Sequence, residues 1–105
     1  MHPSMIASRQ MPIIGVLTLE IFVEDSHSLK DKRHVVKGLK DRLRHKFNVA
    51  VAEIDGQDTW QRSVVAAVTV SADKVFAEKV LQSVEREAAH FAAGALVDSS
   101  IEWIE

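Results

Sequence analysis

Eight cationic side chains stand between positions 28 and 46: Lys30, Lys32, Arg33, Lys37, Lys40, Arg42, Arg44 and Lys46. Asp31 and Asp41 are the only acids among them, so this segment carries +6 in a chain of net charge −2 and leaves −8 on the remainder. Lys30, Arg33, Lys37, Lys40 and Arg44 step by 3, 4, 3 and 4, which on a helix places all five in one strip beside the core-facing side. Like charges at this spacing repel by a few tenths of a kcal/mol per pair. A phosphate backbone relieves that repulsion, and a strip of roughly 20 Å, at 1.5 Å per residue, meets several phosphates. The strip also has two other readings: a solvated helix face balanced by the protein's own acids, or a dock for an acidic protein.

A second group is Gln57-Asp58-Thr59-Trp60-Gln61-Arg62. Trp60 is able to stack on a base or enter a partner's pocket, with Gln61 and Arg62 supplying hydrogen bonds. The alternative is a Trp60 that plugs the end of the core while Asp58 fixes a hairpin. Glu53, Asp55 and Asp58 form a small acidic cluster, suited to weak binding of a hard cation or to facing the basic helix.

Catalytic chemistry finds no foothold. His34 and His45 are too far apart on one helix to act as adjacent ligands, His2 and His90 lie in unrelated segments, and His27 stands at a helix start as a turn residue or a weak phosphate contact. The sequence contains no glycine-rich phosphate loop, nucleophile elbow or paired general acid and base. The absence of cysteine excludes disulfides and thiolate chemistry. The expectation is a protein that is not an enzyme, with no catalytic residue, cofactor or metal.

These residues must be positioned by a single domain, since 105 residues leave no room for a second core. A composition 47% hydrophobic and 27% charged is that of a folded globular chain. Residues 13–23 form the longest apolar run. It is too short to span a bilayer as a helix, and Gly15, Thr18, Glu20 and the lone upstream Arg9 do not fit a signal peptide. A cytoplasmic, unanchored protein is expected, with residues 1–11 a flexible extension, residues 12–105 the domain, and Met11 an alternative start to Met1.

From Ile13 the residues alternate, with Leu17, Leu19, Ile21 and Val23 on one parity, and Ile14, Val16, Thr18, Glu20 and Phe22 on the other. This predicts a long strand whose first set is buried. Glu24-Asp25-Ser26-His27 is a polar turn. Ser28 and Asp31 then make a short capping box for a helix to about position 46, with Leu29, Val36, Leu39, Leu43 and Phe47 at helical spacing and Asn48 as its stop. Residues 49–54 read as a strand, Asp55-Gly56 as a hairpin signal, and residues 60–70 as the returning strand, with Val64, Ala66, Val68 and Val70 on one face. Ser71 or Asp73 caps a second helix along Ala77, Val80, Leu81, Val84, Ala88 and Phe91, Gly94 ends it, and residues 96–104 close the chain as a strand.

The resulting order βαββαβ predicts an α+β, ferredoxin-like sandwich: a four-stranded antiparallel sheet with both helices on one face. Leu39, Leu43, Val80, Leu81 and Val84 are the expected filling. For the outer face, Ile14, Val16, Thr18, Glu20 and Phe22 are expected from the first strand, and Val65, Ala67 and Thr69 from the third. With Phe22 its one aromatic, that face makes a poor base-stacking platform and a better homodimer or partner surface through Ile14, Val16, Phe22 and Val65.

Three segments together, His27-Ser28-Leu29-Lys30-Asp31-Lys32-Arg33, Phe47-Asn48-Val49-Ala50-Val51-Ala52-Glu53-Ile54-Asp55 and Gln57-Asp58-Thr59-Trp60-Gln61-Arg62, resemble in order and spacing the YlxP-like family of small bacterial proteins. The resemblance runs from about Pro12 to the end and is weakest in residues 88–100. It implies a ferredoxin-like fold and a bacterial genomic setting shared with translation-initiation and ribosome-maturation genes, and it implies no reaction, ligand or catalytic residue. The functional expectation is a non-catalytic RNA- or ribosome-associated protein, with Lys30, Arg33, Lys37, Lys40, Arg44, Trp60 and Arg62 on the nucleic acid and no inferred DNA specificity. The alternative is a homodimeric protein-interaction or small-ligand module with no nucleic-acid role.

Overall fold

The alternation that begins at Ile13 becomes a central strand. In the computed structural model, which describes residues 10–24 and 26–104, β1 spans Ile13–Phe22, α1 Leu29–Lys46, β2 Ala50–Asp55, β3 Arg62–Ser71, α2 Lys74–Phe91 and β4 Leu96–Ile104. Most of the expected N-terminal extension lies outside the described residues, as do Asp25 of the polar turn and Glu105. The strands form one sheet in the order β2-β3-β1-β4 with every pairing antiparallel, which is the ferredoxin-like arrangement.

Local chemistry explains the helix boundaries. Ser28 Oγ accepts from the Asp31 N–H at 3.1 Å, satisfying one orphan donor at the start of α1, and Asp31 Oδ2 accepts from the N–H of His27, just before the cap, at 3.4 Å. Asp73 caps α2, accepting from the Val75 and Phe76 N–H groups at 2.9 and 3.4 Å. Beyond α2, Gly94 takes φ +83°, a left-handed conformation that glycine reaches without steric cost.

Both helices cover the same sheet face. Leu17, Leu19 and Ile21 of β1 and Val65 and Ala67 of β3 meet Val36, Leu39 and Leu43 of α1 and Leu81, Val84 and Ala88 of α2 in one buried cluster. Val80 packs against its margin. Phe91, expected in the buried stripe, is 41% exposed: its ring lies against Gly38 at the seam between the helices, near the end of α2.

The outer face differs from expectation on β3. Ile14, Val16, Thr18 and Glu20 pair with Val70, Val68, Ala66 and Val64, so these β3 residues share the outer face, whereas Val65 pairs with Leu19 and is fully buried. Assigning Val65, Ala67 and Thr69 to the outer surface was one residue out of phase. The physical reason is that residues 64–70 are apolar or β-branched on both parities, so alternation alone cannot say which set faces the helices. The hairpin signalled by Asp55-Gly56 is formed: residues 56–61 link β2 to the antiparallel β3, with Gly56 at φ +80°.

Candidate functional site

Helical spacing divides the α1 cations among three sides. On the core side, Lys32 is fully buried beneath the β2–β3 loop. Its ammonium pairs with Glu53 Oε2 at 3.3 Å and donates to the carbonyls of Gly56 and, at 3.2 Å, Arg62. Ser63 Oγ also donates to Glu53 Oε2. Facing α2, Arg42 and Lys46 converge on the nearly buried Glu87, at 3.0 and 2.5 Å. Those two cations hold the Glu87 carboxyl below the usual glutamate range, the Lys46 hydrogen bond contributing most.

The third side lies over β2, the edge of the sheet, and carries the predicted strip. Arg33, Lys37, Lys40 and Arg44 border one shallow groove with Val36, Asp41 and Glu53, and Lys30, Asp31, Arg33, His34 and Lys37 border its continuation toward the start of the helix. Asp41 pairs with Lys37 at 2.7 Å and with Arg44 at 3.5 Å, and the Lys37 hydrogen bond is the main cause of its lowered pKa. Arg44 also donates to the Val51 carbonyl at 3.0 Å, which covers an acceptor on the otherwise open β2 edge. Lys30, Arg33 and Lys40 make no ion pair among the described residues.

Arg62 occupies a different place from the strip. Its guanidinium bonds Glu20 at 3.3 Å and Asp55 at 3.2 Å, on the outer-face side of the sheet. The Asp55 carboxyl is lowered first by the Gly56 N–H and then by Arg62, whose own pKa is raised first by Asp55 and then by Glu20. Of the expected acidic cluster, Glu53 faces α1, Asp55 faces Arg62, and Asp58 is exposed on the loop. Trp60 is 59% exposed, which overturns the reading in which it plugs the core. The ring filling that role is Trp103, packed so closely over Gly15 that a Cβ there would come within 2.7 Å of it.

The three motif segments therefore meet at one ammonium group: Lys32 from the first, Glu53 from the second, and the carbonyls bracketing the loop of the third. Residues 14–101 match the family described as "Protein of unknown function (DUF503)". The chain belongs to this family. It is 44% identical over 72 residues to "Uncharacterized protein YlxP" of Bacillus subtilis (strain 168), covering 69% of this chain and 78% of that protein. Among solved structures, it is similar to the de novo designed protein Foldit4, with a TM-score of 0.55 and 12% identity over 90% of this chain and 98% of that one. It is also similar to a de novo design with a ferredoxin fold, LFR1 1, with a TM-score of 0.47 and 11% identity over 90% and 84%. The Foldit4 likeness concerns the fold alone. No helix among the described residues is long and apolar enough to cross a membrane.

The signal for Lys32 was present in the sequence. Leu29, Lys32, Val36, Leu39 and Leu43 step by 3, 4, 3 and 4, so Lys32 stands in the apolar register. A lysine there requires a buried acid and acceptor groups, and Glu53 was the acid available.

Proposed function

We propose that this chain binds the phosphate backbone of RNA through the α1 strip, in the cytoplasm and without catalysing a reaction, with a ribosomal particle as the intended ligand. The observation that carries the reading is how charge is sorted around one helix. Lys32, Arg42 and Lys46 each have a buried or nearly buried carboxylate, while Lys30, Arg33 and Lys40 on the outward side have none among the described residues. A face balanced by the protein's own acids would have paired those three as well. Asp41 offsets only part of the charge of Lys37 and Arg44 and, without an ion pair, of Lys40. Exposed cations so arranged gain by exchanging condensed counterions for phosphates.

The test is Arg33→Glu combined with Lys40→Glu. The unmutated chain is expected to bind structured RNA with an affinity that falls steeply with salt, and the double variant to lose about two units of that salt slope. Sedimentation of tagged protein with ribosomal particles extends the test into cells. An unmutated chain that neither binds RNA at low salt nor sediments with particles would rule the proposal out.

A second reading, an interface between two copies, is favoured by the outer sheet face. There Ile14, Val16, Val68, Val70 and Ile104 lie together, with Val70 64% and Ile104 56% exposed.

A further inference from the structure

We infer that Trp60 is a stacking platform for an unpaired base of the RNA whose backbone lies on the α1 strip. This inference rests on the phosphate-binding reading above and deepens it by naming the ligand class: RNA with single-stranded nucleotides, not a continuous duplex. The starting observation is a contrast between a loop's backbone and its largest side chain. Residues 56–61 are held firmly. The Lys32 ammonium donates to the Gly56 and Arg62 carbonyls at the loop's two ends, and Thr59 Oγ1, with one proton to share between them, lies 3.0 and 2.6 Å from the same two oxygens. The Thr59 N–H reaches Gly56 O at 3.1 Å, Gln61 Nε2 reaches Glu24 O at 3.0 Å, and the Val23 N–H reaches Gln61 O at 2.8 Å. Gly56 is fixed in place as well, because a Cβ there would lie 2.5 Å from Arg62 O. Yet Trp60, within this anchored loop, leaves 59% of its surface in water. A large ring on an already ordered loop binds without the entropic cost of ordering that loop.

The surroundings favour a base over a partner's apolar side chain. Protein hot spots sit within patches that exclude water, whereas the loop neighbours of Trp60 are Gln57, Asp58, Thr59 and Gln61, of which the first three are exposed and Gln61 half-buried. With the Thr59 hydroxyl and the Gln57 and Gln61 Nε2 groups engaged within the protein, the amide oxygens of Gln57 and Gln61 remain as acceptors suited to base edges, while the ring supplies the sequence-tolerant π-face. Asp58 makes no ion pair among the described residues and disfavours a phosphate at the loop, which leaves the base, not the backbone, as the group received there. Lys32 moors both ends of the loop to α1 at a position between Lys30 and Arg33, which ties the loop to the helix that carries the strip.

The experiment compares a single-stranded oligouridylate with an RNA duplex of the same length, using the full chain, Trp60→Ala and Trp60→Phe. Since the loop's hydrogen bonds avoid the indole, Trp60→Ala should melt close to the unmutated chain. The single strand is expected to quench the part of the fluorescence that Trp60→Phe removes. Trp60→Ala should bind the single strand about 5- to 100-fold more weakly, from ~1–3 kcal/mol per stacked base, with duplex binding unchanged and much of the loss restored by Trp60→Phe. Salt-sensitive binding of both RNAs without quenching, and without loss in Trp60→Ala, would overturn the platform, leave the strip intact and assign Trp60 to a protein partner. Equal losses for both RNAs would overturn it too. If neither RNA binds at low salt, the platform and the phosphate reading fall together.

Discussion

Lys32 is stabilising only as part of its set. Burying an ammonium costs several kcal/mol unless a carboxylate and further acceptors replace its water, and Glu53, Gly56 O and Arg62 O do so here. Lys32→Met keeps the aliphatic stem but leaves the largely buried Glu53 carboxylate with the Ser63 hydroxyl as its remaining hydrogen-bond donor among the described residues. Removing one partner of a buried pair typically costs ~3–5 kcal/mol. The lower end applies here, since the Thr59 N–H still serves the Gly56 carbonyl and leaves the Thr59 hydroxyl proton for that of Arg62. Thermal melts should therefore show Lys32→Met unfolding more than about 10 °C below the unmutated chain. Adding Glu53→Gln, which removes the stranded charge, should recover part of that loss. If Lys32→Met melts within a few degrees of the parent, the ion pair does not hold the loop. The lysine was countable from the sequence as one of eight cations. Its separate role was legible only by asking which cation falls in register with Leu29, Val36 and Leu39, and its partner lay beyond any periodicity, since a loop carbonyl leaves no mark in side-chain pattern.

At the scale of elements, α1 and α2 are joined by charge as well as by packing. Glu87 receives Arg42 and Lys46 from α1, and the Phe91 ring, 5.9 Å from the Arg42 guanidinium, lies over Gly38. Because the folded pKa of Glu87 lies below its unfolded value, its contribution to stability is present above the ordinary glutamate range of about 4.3 and is lost as the pH falls through the lower, folded value. Glu87→Gln should therefore lower the melting temperature at neutral pH, and the gap from the unmutated chain should narrow steadily below about pH 4. A gap that is the same at neutral and acid pH would show that Glu87 acts through packing alone. Element boundaries and the order βαββαβ were readable because Ser28, Asp73 and Gly94 punctuate strong periodic stretches. The phase of β3 was not, because Val64 and Val65 are equally apolar and only pairing with β1 decides which faces the helices.

The whole molecule presents two surfaces that differ in the force they offer. One is the α1 flank beside the β2 edge, where charge predominates and salt weakens any contact. The other is the outer sheet face, whose rows run Val70–Ile14–Ile104 and Ala50–Val68–Val16–Glu102 at one end, and Val64–Glu20–Asp98 at the other. The apolar end is where two copies would meet, since burying valine and isoleucine from water favours association, while the charged end, where Arg62 bonds Glu20 and Asp55, is costly to desolvate. Val70→Glu is the discriminating change. Val70 is already 64% exposed, so the fold should tolerate the charge, whereas Val16 stands beside Glu102 and a glutamate there would add a cross-strand repulsion. If the face joins copies, light scattering should give a dimer for the unmutated chain and a monomer for Val70→Glu. The melting temperature of Val70→Glu, extrapolated to low concentration, should match that of its parent, and the dimer should persist at high salt. A monomeric unmutated chain at high micromolar concentration excludes this interface. RNA binding by Val70→Glu should remain as salt-sensitive as in the parent, because the strip on α1 lies on the opposite side of the sheet from Val70.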